Sequence, residues 1–298
     1  MHKLQVYLFI TASKVQKTNF EPVKLIIQTL KPQNNKPFLI FGYSYHLINM
    51  RKEERHKLIM REINLHNKVL STDLSTLLNI SDDTVRRDLK ELAETGMLLK
   101  VHGGAASKSF VSPFNAQNEV YALNEKKKIA EKTLKLIKNE MVILTEGGTT
   151  ILELARMIPE NLRVTFFTIS PQVSITLSDH SNLEVITIGG KLNKNANLHV
   201  GASVINQLID IKVDLCLLGA NAFSSEEGLT DMDWDVVQVK KAIIRSSKKT
   251  AVLSISEKLN SAQRIRICGP NQINYLITEL PNDSPLLANY RNDNLILL

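Results

Sequence analysis

The stretch SDDTVRRDLKEL, Ser81–Leu92, decides how the first half of the chain folds. Wound as an α-helix, it puts Val85, Leu89 and Leu92 within about 60° of one another, while Arg87 points nearly opposite. The apolar side of this helix is expected to pack on a neighbouring helix. The opposite, charged side is left free to meet a partner.

The flanking sequence predicts the motif to which this helix belongs. Ser71 can cap a preceding helix over TDLSTLL, with Leu74, Leu77 and Leu78 on one face. The connection NIS leads to Ser81, which can cap the second helix, DDTVRRDLKELAE, and that helix ends at the glycine of ETGM. MLLKVHGGA is typical of a short strand and a glycine turn. Helix, tight turn, helix and a small β-wing predict a winged helix-turn-helix.

A charged helical face usually just faces water, but the second helix of a helix-turn-helix enters the DNA major groove through its N-terminal residues. Arg86 and Arg87 can reach phosphates or guanine edges, and Asp88 could orient an arginine such as Arg87. The wing would touch the flanking backbone. The predicted DNA-contacting residues are Ser81, Asp83, Thr84, Arg86, Arg87, Lys90, Lys100 and His102.

The distribution of charge gives little support to DNA binding by itself. A length of 298 residues suggests two domains, and the net charge of +7 would indicate a nucleic-acid partner if it were clustered. Residues 1–49 hold six basic and one acidic residue, whereas residues 50–105 hold ten and nine. The prediction therefore rests on where individual arginines lie in the motif.

Residues 1–49 differ in character from the rest of the chain. They lack sustained periodicity and include the turn-rich KTNFEP and LKPQNNKP, whereas Ile59 and Ile63 after Met50 lie between charged residues as in an amphipathic helix. Two interpretations are open. Met50 is the natural start and residues 1–49 come from translated upstream sequence, or the segment is a real basic arm. The intact mass of the native protein would distinguish them.

The two cysteines and the apolar runs restrict the class of protein. Cys216 and Cys268 have apolar neighbours and no Cys or His at metal-ligand spacing, so we expect reduced structural thiols and neither metal nor cofactor. VYLFI and FLIFG fall far short of the roughly 20 residues of a membrane span. No secretory cleavage site is evident, so a cytoplasmic protein is expected.

The second half alternates between strand-like and helix-like patterns. Residues 106–122 contain the polar SKSFVSPFNAQN and are interpreted as a linker. Beyond it, helical patterns separate short apolar runs, which are MVILTE, RVTFFTI, LEVITIGG, VDLCLLGAN, TAVLSIS and YLITE. Continuous apolar strands with helices between them predict an α/β domain over residues 123–298, with a doubly wound parallel sheet, joined to a winged helix-turn-helix over residues 50–105.

Glycine clusters follow several of these strands. TEGGTT, Thr145–Thr150, opens a helix after MVIL, and the clusters IGGK and GAN also fall at strand ends. Parallel sheets bind ligands outside the carboxyl ends of their strands, and glycine turns let backbone N–H groups approach an anion. The loops therefore predict a phosphate site. A tight turn without a ligand is the alternative.

From Arg51 to Ala105 the chain resembles the N-terminal domain of the DeoR family of bacterial transcriptional regulators. The resemblance lies in RKEERHKLI and in LSTDLSTLLNISDDTVRRDLKELAETGMLLKVHGGA, with the TVRRDL core and the terminal HGGA as its most specific parts. The family pattern commonly begins where Met50 stands. This favours the interpretation that residues 1–49 are additional.

The resemblance continues to about residue 280 and implies a ribose-phosphate-isomerase-like sensor domain that binds phosphorylated sugar-pathway intermediates. The matching motifs are EGGTT, with Glu146 where Asp is usual, GGKL, GLT, VKKA, and Ser256 with Lys258. The resemblance implies that these positions contact phosphate or sugar hydroxyls. The expected effector-contacting residues are Glu146, Gly147, Gly148, Thr149, Thr150, Gly189, Gly190, Lys191, Gly228, Thr230, Lys240 and Lys258.

Four positions depart from the family pattern, which typically has Asn, Arg, Gly and Asp where this chain has Ile169, Asn193, Ala222 and Ile255. Isoleucine in place of Asn or Asp removes a hydrogen-bonding group and adds volume. Asparagine in place of Arg removes a bidentate phosphate contact. The pocket is therefore expected to bind a different ligand, to bind weakly, or to be purely structural.

The leading hypothesis is a sequence-specific regulator, most simply a repressor, of a carbohydrate-utilisation operon. A phosphorylated sugar in the second domain would shift the population between DNA-competent and incompetent arrangements. The expected partners are double-stranded operator DNA, with repeated or palindromic half-sites, and further copies of the chain in a homo-oligomer. Two alternatives are a regulator whose second domain only oligomerises, and a sugar-phosphate isomerase with Glu146 as its base.

Overall fold

The first part of the protein is a winged helix-turn-helix. The computed structural model describes residues 50–107 and 120–298, so the predicted extension 1–49 and most of the predicted linker lie outside the described residues. The helices are α1 (Lys52–His66), α2 (Ser71–Leu78) and α3 (Asp82–Glu94). The wing strands are β1 (Lys68–Leu70), β2 (Leu98–Val101) and β3 (Gly104–Ser107), paired antiparallel in the order β1-β3-β2. We call residues 51–107 the winged-helix segment.

The predicted local signals of α3 are confirmed, and those of α2 need correction. Ser81 caps α3, because its Oγ accepts a hydrogen bond from the backbone N–H of Thr84 at 3.2 Å. In α2 the N-cap is Leu70 rather than Ser71. Leu77, predicted on the apolar face, is 53% exposed. Its neighbours Leu74 and Leu78, one turn apart, already form the contact with α3.

The glycines of HGGA have a steric explanation in the wing. Gly103 has a φ of +74°, which favours glycine at the turn between β2 and β3. A Cβ at Gly104 would lie 1.9 Å from the carbonyl oxygen of Val69. Strand β3 can therefore pair closely with β1 only if this position is glycine. The three-residue β1 was not predicted, because it is too short to show alternation.

The second part is the predicted α/β fold. Its parallel strands are β4 (Val142–Thr145), β5 (Val164–Thr168), β6 (Leu183–Thr187), β9 (Val213–Gly219), β12 (Ser247–Leu253), β14 (Tyr275–Ile277) and β15 (Ile296–Leu297). They form one seven-stranded sheet in the order β15-β14-β12-β9-β4-β5-β6, with every neighbouring pair parallel. We call residues 120–298 the sheet domain.

Helices cover both faces of this sheet, as predicted. They are α4 (Leu123–Leu134), α5 (Thr149–Met157), α6 (Pro171–Ser178), α7 (Ala202–Ile209) and α8 (Trp234–Arg245). Alternate residues of β9 enter different cores: Cys216 and Leu218 pack with α7 and α8, whereas Leu215 and Leu217 pack with α4, α5 and α6. Both faces are apolar, which is why the strands are continuous apolar runs rather than alternating ones.

Shorter elements decorate the edge where the parallel strands end. Strands β7 (Lys191–Asn193) and β8 (Leu198–Val200) form a hairpin, and β10 (Ala222–Ser224), β11 (Gly228–Asp231) and β13 (Ile265–Cys268) form an antiparallel sheet. Short 3-10 helices span Ser256–Lys258, Pro270–Gln272 and Pro285–Tyr290. These antiparallel strands were not predicted, since three or four residues give too little pattern to separate strand from loop.

Both cysteines are buried free thiols, and burial raises the pKa of Cys268 to about 11. Among residues 50–107 and 120–298, no group of three or more His, Cys, Asp or Glu side chains is placed to hold a metal ion. None of the helices described for these ranges has the length and apolar character that crossing a membrane requires.

Candidate functional sites

The outward face of α3 and the wing carry the residues predicted to contact DNA. Seven of the eight are exposed and Thr84 is half-buried, so the surface is accessible on the described part of the protein. Arg86 pairs with Asp82 one turn earlier at 2.7 Å, and Lys90 lies 3.8 Å from Glu94. These pairs are solvent-exposed and worth at most about 1 kcal/mol. Both side chains can therefore exchange their partners for phosphate or base atoms.

Asp88 has a different partner from the one predicted. It is 2% exposed and faces α1, where the Arg55 guanidinium donates to both of its oxygens, with Nη2 at 2.9 Å from Oδ1. His56 Nε2 lies 3.2 Å from Oδ1. Burial raises the pKa of Asp88, but the hydrogen bonds and charges of Arg55 and His56 outweigh burial and hold that pKa below its usual range. Asp88 therefore stabilises the packing of α3 on α1 and does not orient Arg87.

A cavity of about 250 Å³ lies beyond the carboxyl ends of β4, β9 and β12. Its floor is the EGGTT turn between β4 and α5, and its sides include the loop Gly219–Asn221 and the positions Ile255 and Lys258. Binding sites for small molecules typically measure about 300–1,000 Å³, so the volume suits a small metabolite. The location agrees with the one predicted for a parallel sheet.

Seven of the twelve residues expected to contact an effector line the cavity: Glu146, Gly147, Gly148, Thr149, Thr150, Lys240 and Lys258. Their role in ligand binding stays a prediction. The other five, Gly189, Gly190, Lys191, Gly228 and Thr230, do not belong to its lining.

Local packing explains the positions of three of these five. A Cβ on Gly190 would lie 2.5 Å from the Val204 side chain, and one on Gly228, whose φ is +76°, would lie 2.2 Å from the Cys268 carbonyl oxygen. Thr230 is buried, and its Oγ1 accepts a hydrogen bond from the backbone N–H of Gln263 at 2.7 Å. These motif positions therefore shape the loops around the cavity from outside it.

The EGGTT turn requires both of its glycines. Gly148 is the N-cap of α5 with a φ of +94°, and no side chain caps the first turn of that helix. A Cβ on Gly147 would lie 2.7 Å from the Leu198 side chain and 2.9 Å from Ser170 Oγ. The uncapped first turn of α5 thus lines the cavity, where its free N–H groups and helix dipole favour an anion.

The charge of Lys240 is balanced within the protein. Its Nζ lies 3.2 Å from Glu146 Oε2 and 3.5 Å from Asp231 Oδ2, and it donates to the Gly219 carbonyl oxygen at 3.1 Å. All three charged side chains are buried. Burial lowers the pKa of Lys240, but the two carboxylates outweigh it and raise that pKa, so the lysine stays protonated. This cluster holds the ends of β4, β9 and β11 together.

Within the described ranges, Lys126 and Lys258 have no carboxylate in direct contact. Glu153 and Glu125 act on Lys126, and Asp231 and Glu146 on Lys258, only strongly enough to offset part of the effect of burial on the pKa. Among the described residues neither belongs to an ion pair; Lys258 Nζ donates to the Ala220 carbonyl oxygen at 2.9 Å, and Lys126 Nζ to that of Tyr121. Burial, followed by repulsion from Lys126 and Lys240, lowers the pKa of Lys258 to about 7. Burial lowers the pKa of Lys126 to about 8. An anion between these two ammonium groups would relieve both effects.

The four departures from the family pattern affect the cavity unequally. Ile255 lines it, whereas Ile169 and Ala222 are buried away from it. Asn193 supports the β7–β8 hairpin, because its Nδ2 donates to Asp233 Oδ2 at 2.9 Å and its Oδ1 accepts from the backbone N–H of Asn195 and Ala196. The substitutions change one wall of the cavity and leave its cationic groups in place.

Several lining residues carry no motif and were not predicted. Lys126 lies on α4, Asn221 follows β9, and the winged-helix segment contributes His66, Asn67, Lys68, Leu70 and Ala106. No local pattern links these positions to the glycine loops, since some are more than a hundred residues apart in sequence. The sequence signal that could have identified them is weak: several are polar residues close to the ends of helices and strands.

Comparison with known proteins gives a family match for each of the two parts of the chain. The model of the DeoR-like helix-turn-helix domain matches residues 55–110, and that of the DeoR C terminal sensor domain matches residues 122–280. The HTH-type transcriptional regulator GolR of Listeria innocua is 32% identical over 76% of this chain and 90% of its own length. The glycerol-3-phosphate regulon repressor of Haemophilus influenzae is 28% identical over 77% of this chain and 90% of its own.

Among solved structures, ribose 5-phosphate isomerase A of Methanocaldococcus jannaschii aligns with 45% of this chain and 53% of its own length, at 20% identity and a TM-score of 0.34.

Proposed function

The chain belongs to the DeoR family and is a DNA-binding transcriptional regulator, and we propose that it represses a carbohydrate-utilisation operon. It leaves its operator when a phosphorylated metabolite fills the cavity. The observation that carries the proposal is the pair Lys126 and Lys258, two lysines at one cavity without a carboxylate partner among the described residues. Buried charges are normally paired, so such lysines favour an anionic ligand.

The relatives support the same chemistry. One relative is named a repressor of the glycerol-3-phosphate regulon, which associates it with a phosphorylated small metabolite. The uncapped start of α5 adds backbone N–H groups to the two ammonium groups, which is the usual donor set for a phosphate. If the second domain had only a structural role, paired or apolar residues in place of the two lysines would make that domain more stable.

The isomerase alternative is excluded by family membership, since the relatives are named transcriptional regulators. The geometry of Glu146 also disfavours it. Glu146 Oε1 accepts the backbone N–H of Gly219 and Oε2 lies beside Lys240, so both oxygens are engaged within the protein, while burial raises the pKa of the carboxyl group. A general base must instead be free to receive a proton from a substrate.

The proposed partners are double-stranded operator DNA with two half-sites and at least one further copy of the chain. A symmetric oligomer places two α3 helices at a fixed spacing, which matches repeated or palindromic half-sites. Ligand binding would act by changing that spacing or orientation, because a ligand can shift only an equilibrium whose two states it binds differently.

Binding of ribose 5-phosphate, glucose 6-phosphate and glycerol 3-phosphate tests the proposal. At least one of them should raise the melting temperature of the full chain and release it from DNA fragments taken upstream of its own gene, at fixed salt. Ribose, glucose and glycerol serve as uncharged controls. Specific operator binding that none of the three phosphates alters would favour the second domain as an oligomerisation platform.

The affinity for the phosphorylated ligand should fall as pH rises above neutral. Lys258 and Lys126 have pKa values of about 7 and about 8, so at higher pH each must take up a proton when the anion binds. Of the other charged groups that face Lys258, Lys240 adds to the lowering of its pKa, whereas Asp231 and Glu146 oppose it. Between pH 6.5 and 8.5 we expect a loss of about tenfold to 100-fold, since each fully coupled proton contributes up to a factor of ten per pH unit.

Isothermal titration calorimetry in two buffers of different ionisation enthalpy checks this prediction. At pH 8.5 the observed enthalpy should depend on the buffer, because protons are taken up from it. Below about pH 6 the phosphate itself loses its second charge, so the affinity should peak between that value and neutrality. An affinity that stays constant from pH 6.5 to 8.5 would contradict the role given to the two lysines.

A further inference from the structure

One face of the wing forms a wall of the cavity. Lys68 and Leu70 are alternate residues of β1, and Ala106 pairs directly with Lys68 in β3. Alternate residues of a strand, and residues opposite each other in a pair, lie on the same face of a sheet. All three line the cavity, whereas Val69 between them is buried. The sheet that follows the recognition motif thus faces the site where a ligand would sit.

Hydrogen bonds hold this wall against the sheet domain. His66 Nδ1 lies 3.2 Å from the Asn221 carbonyl oxygen and 3.3 Å from Gln263 Nε2, and Asn67 Nδ2 donates to Asn221 Oδ1 at 3.2 Å. Asn221 follows β9 and lines the cavity itself, next to the Ala220 carbonyl that receives Lys258. A change at the Gly219–Asn221 loop therefore reaches the end of α1 through a single residue.

Apolar and ionic contacts extend the same junction. Leu65 of α1 is 4% exposed and belongs to the core of the sheet domain, together with Ile129 and Ile255. At the rim, Arg264 Nη2 lies 2.7 Å from Asp73 Oδ1. Residues Arg51–Leu298 accordingly form one compact unit. The junction fixes the orientation of α3 relative to the cavity, because α1 and β1 both belong to the motif that carries α3.

The wall also brings positive charge. Lys68 is half-buried and lines the cavity, and among the described residues it has no ion-pair partner. Together with Lys126 and Lys258 it gives the cavity three lysine side chains, from three separate parts of the chain, that have no carboxylate in direct contact among the described residues. A phosphate dianion has three acceptor oxygens and can satisfy donors from different directions at once.

We propose that the phosphorylated ligand is bound by both parts of the protein at once, with Lys68 of the winged-helix segment contacting the anionic group that Lys126 and Lys258 hold from the sheet domain. This inference rests on the proposed function. The ligand then locks the winged-helix segment onto the sheet domain in one orientation. Operator DNA then requires a different orientation, in which the protein binds the ligand less tightly. By linkage, the ligand weakens DNA binding by the same factor.

The test compares Lys68→Gln with Lys57→Gln in the full chain. Lys57 lies on α1, is exposed and does not line the cavity, so it gives the same loss of charge in the same segment. The probes are ribose 5-phosphate, glucose 6-phosphate, glycerol 3-phosphate and inorganic phosphate, titrated by calorimetry. Lys68→Gln should weaken the affinity about tenfold or more, as expected for a lost hydrogen bond to a charged group, and Lys57→Gln should not. Release of the Lys68→Gln variant from the operator should require a correspondingly higher ligand concentration.

The outcomes separate this inference from the proposed function. If a probe binds the wild type and Lys68→Gln binds it equally well, the contribution of Lys68 to the site is overturned. The proposal that a phosphorylated ligand binds the cavity is then unaffected. No binding of any of the four probes to the wild type overturns both. If Lys68→Gln does not fold, hydrogen exchange on the wild type decides. Amides of Lys68–Leu70 and Gly104–Ala106 should exchange more slowly with the bound probe, and unchanged exchange there contradicts the proposal.

Discussion

Replacement of Arg86 and Arg87 together by alanine should abolish specific operator binding. Both side chains are exposed on the outward face of α3, whose N-terminal half is the part of a helix-turn-helix that reaches base edges. An arginine that contacts guanine or phosphate contributes about 1–3 kcal/mol, so the double variant should lose about 2–6 kcal/mol, or roughly 30-fold to 20,000-fold in affinity. The ion pair of Arg86 with Asp82 reduces this only slightly, because it is exposed.

Fluorescence anisotropy with an operator fragment and a scrambled fragment at fixed salt measures this loss. The control variant is Arg163→Ala with Arg245→Ala, which removes two exposed arginines of the sheet domain. It gives the same change in net charge and should leave the affinity nearly unchanged. The salt dependence should also decrease by about one for each phosphate contact that is lost.

The two arginines can further be separated by specificity. A variant that loses affinity for every sequence equally has lost a phosphate contact, whereas one that accepts other bases at one position has lost a base contact. Unchanged discrimination between the operator and the scrambled fragment in the double variant would show that α3 is not the recognition helix.

Replacement of Asp88 by alanine should destabilise the winged-helix segment by about 3 kcal/mol or more. The carboxylate is 2% exposed and is the partner of Arg55, whose side chain is only 15% exposed, so its loss removes the acceptor of two hydrogen bonds from a nearly buried guanidinium. Breaking a buried ion pair from one side costs about 3–5 kcal/mol. The value should lie near the lower end, because Arg55 retains some access to water.

Urea denaturation of the full chain measures this difference, with Glu94→Ala as the control. Glu94 is an acidic residue of the same helix, exposed and 3.8 Å from Lys90, so its loss should change the free energy of unfolding by less than about 1 kcal/mol. Arg55→Ala with Asp88→Ala should cost less than the sum of the single variants. Strict additivity would show that this pair does not hold α1 against α3.

The stabilisation by Asp88 should also depend on pH with a defined sign. Its pKa in the folded protein lies below that in the unfolded chain, so the contribution is present above the unfolded value of about 3.9 and is lost as pH falls through the folded one. The difference in unfolding free energy between wild type and Asp88→Ala should therefore be constant near neutrality and shrink below about pH 4. A difference that grows on acidification would contradict the ion pair.

Local sequence patterns were sufficient to predict both folds and the edge of the sheet where the cavity lies. Ser81 as an N-cap, the apolar stripe of α3 and the HGGA turn are local features, and their spacing specifies a winged helix-turn-helix without long-range information. The apolar runs of the sheet domain likewise predicted the parallel strands, because a strand buried on both faces must be apolar at every position. The glycines of EGGTT then marked the carboxyl edge where the cavity lies.

Which side chains contact one another depends instead on how the helices and strands pack. Asp88 lies beside Arg87 in sequence but faces Arg55, since a helix turns adjacent residues by about 100° and the packing of α3 on α1 selects one of them. Likewise Lys68, Lys126 and Lys258 come from three distant stretches that carry no shared pattern. A local pattern fixes the face on which a residue lies, whereas the partner of that face is chosen by how the elements pack, and the cationic cavity is a product of that packing.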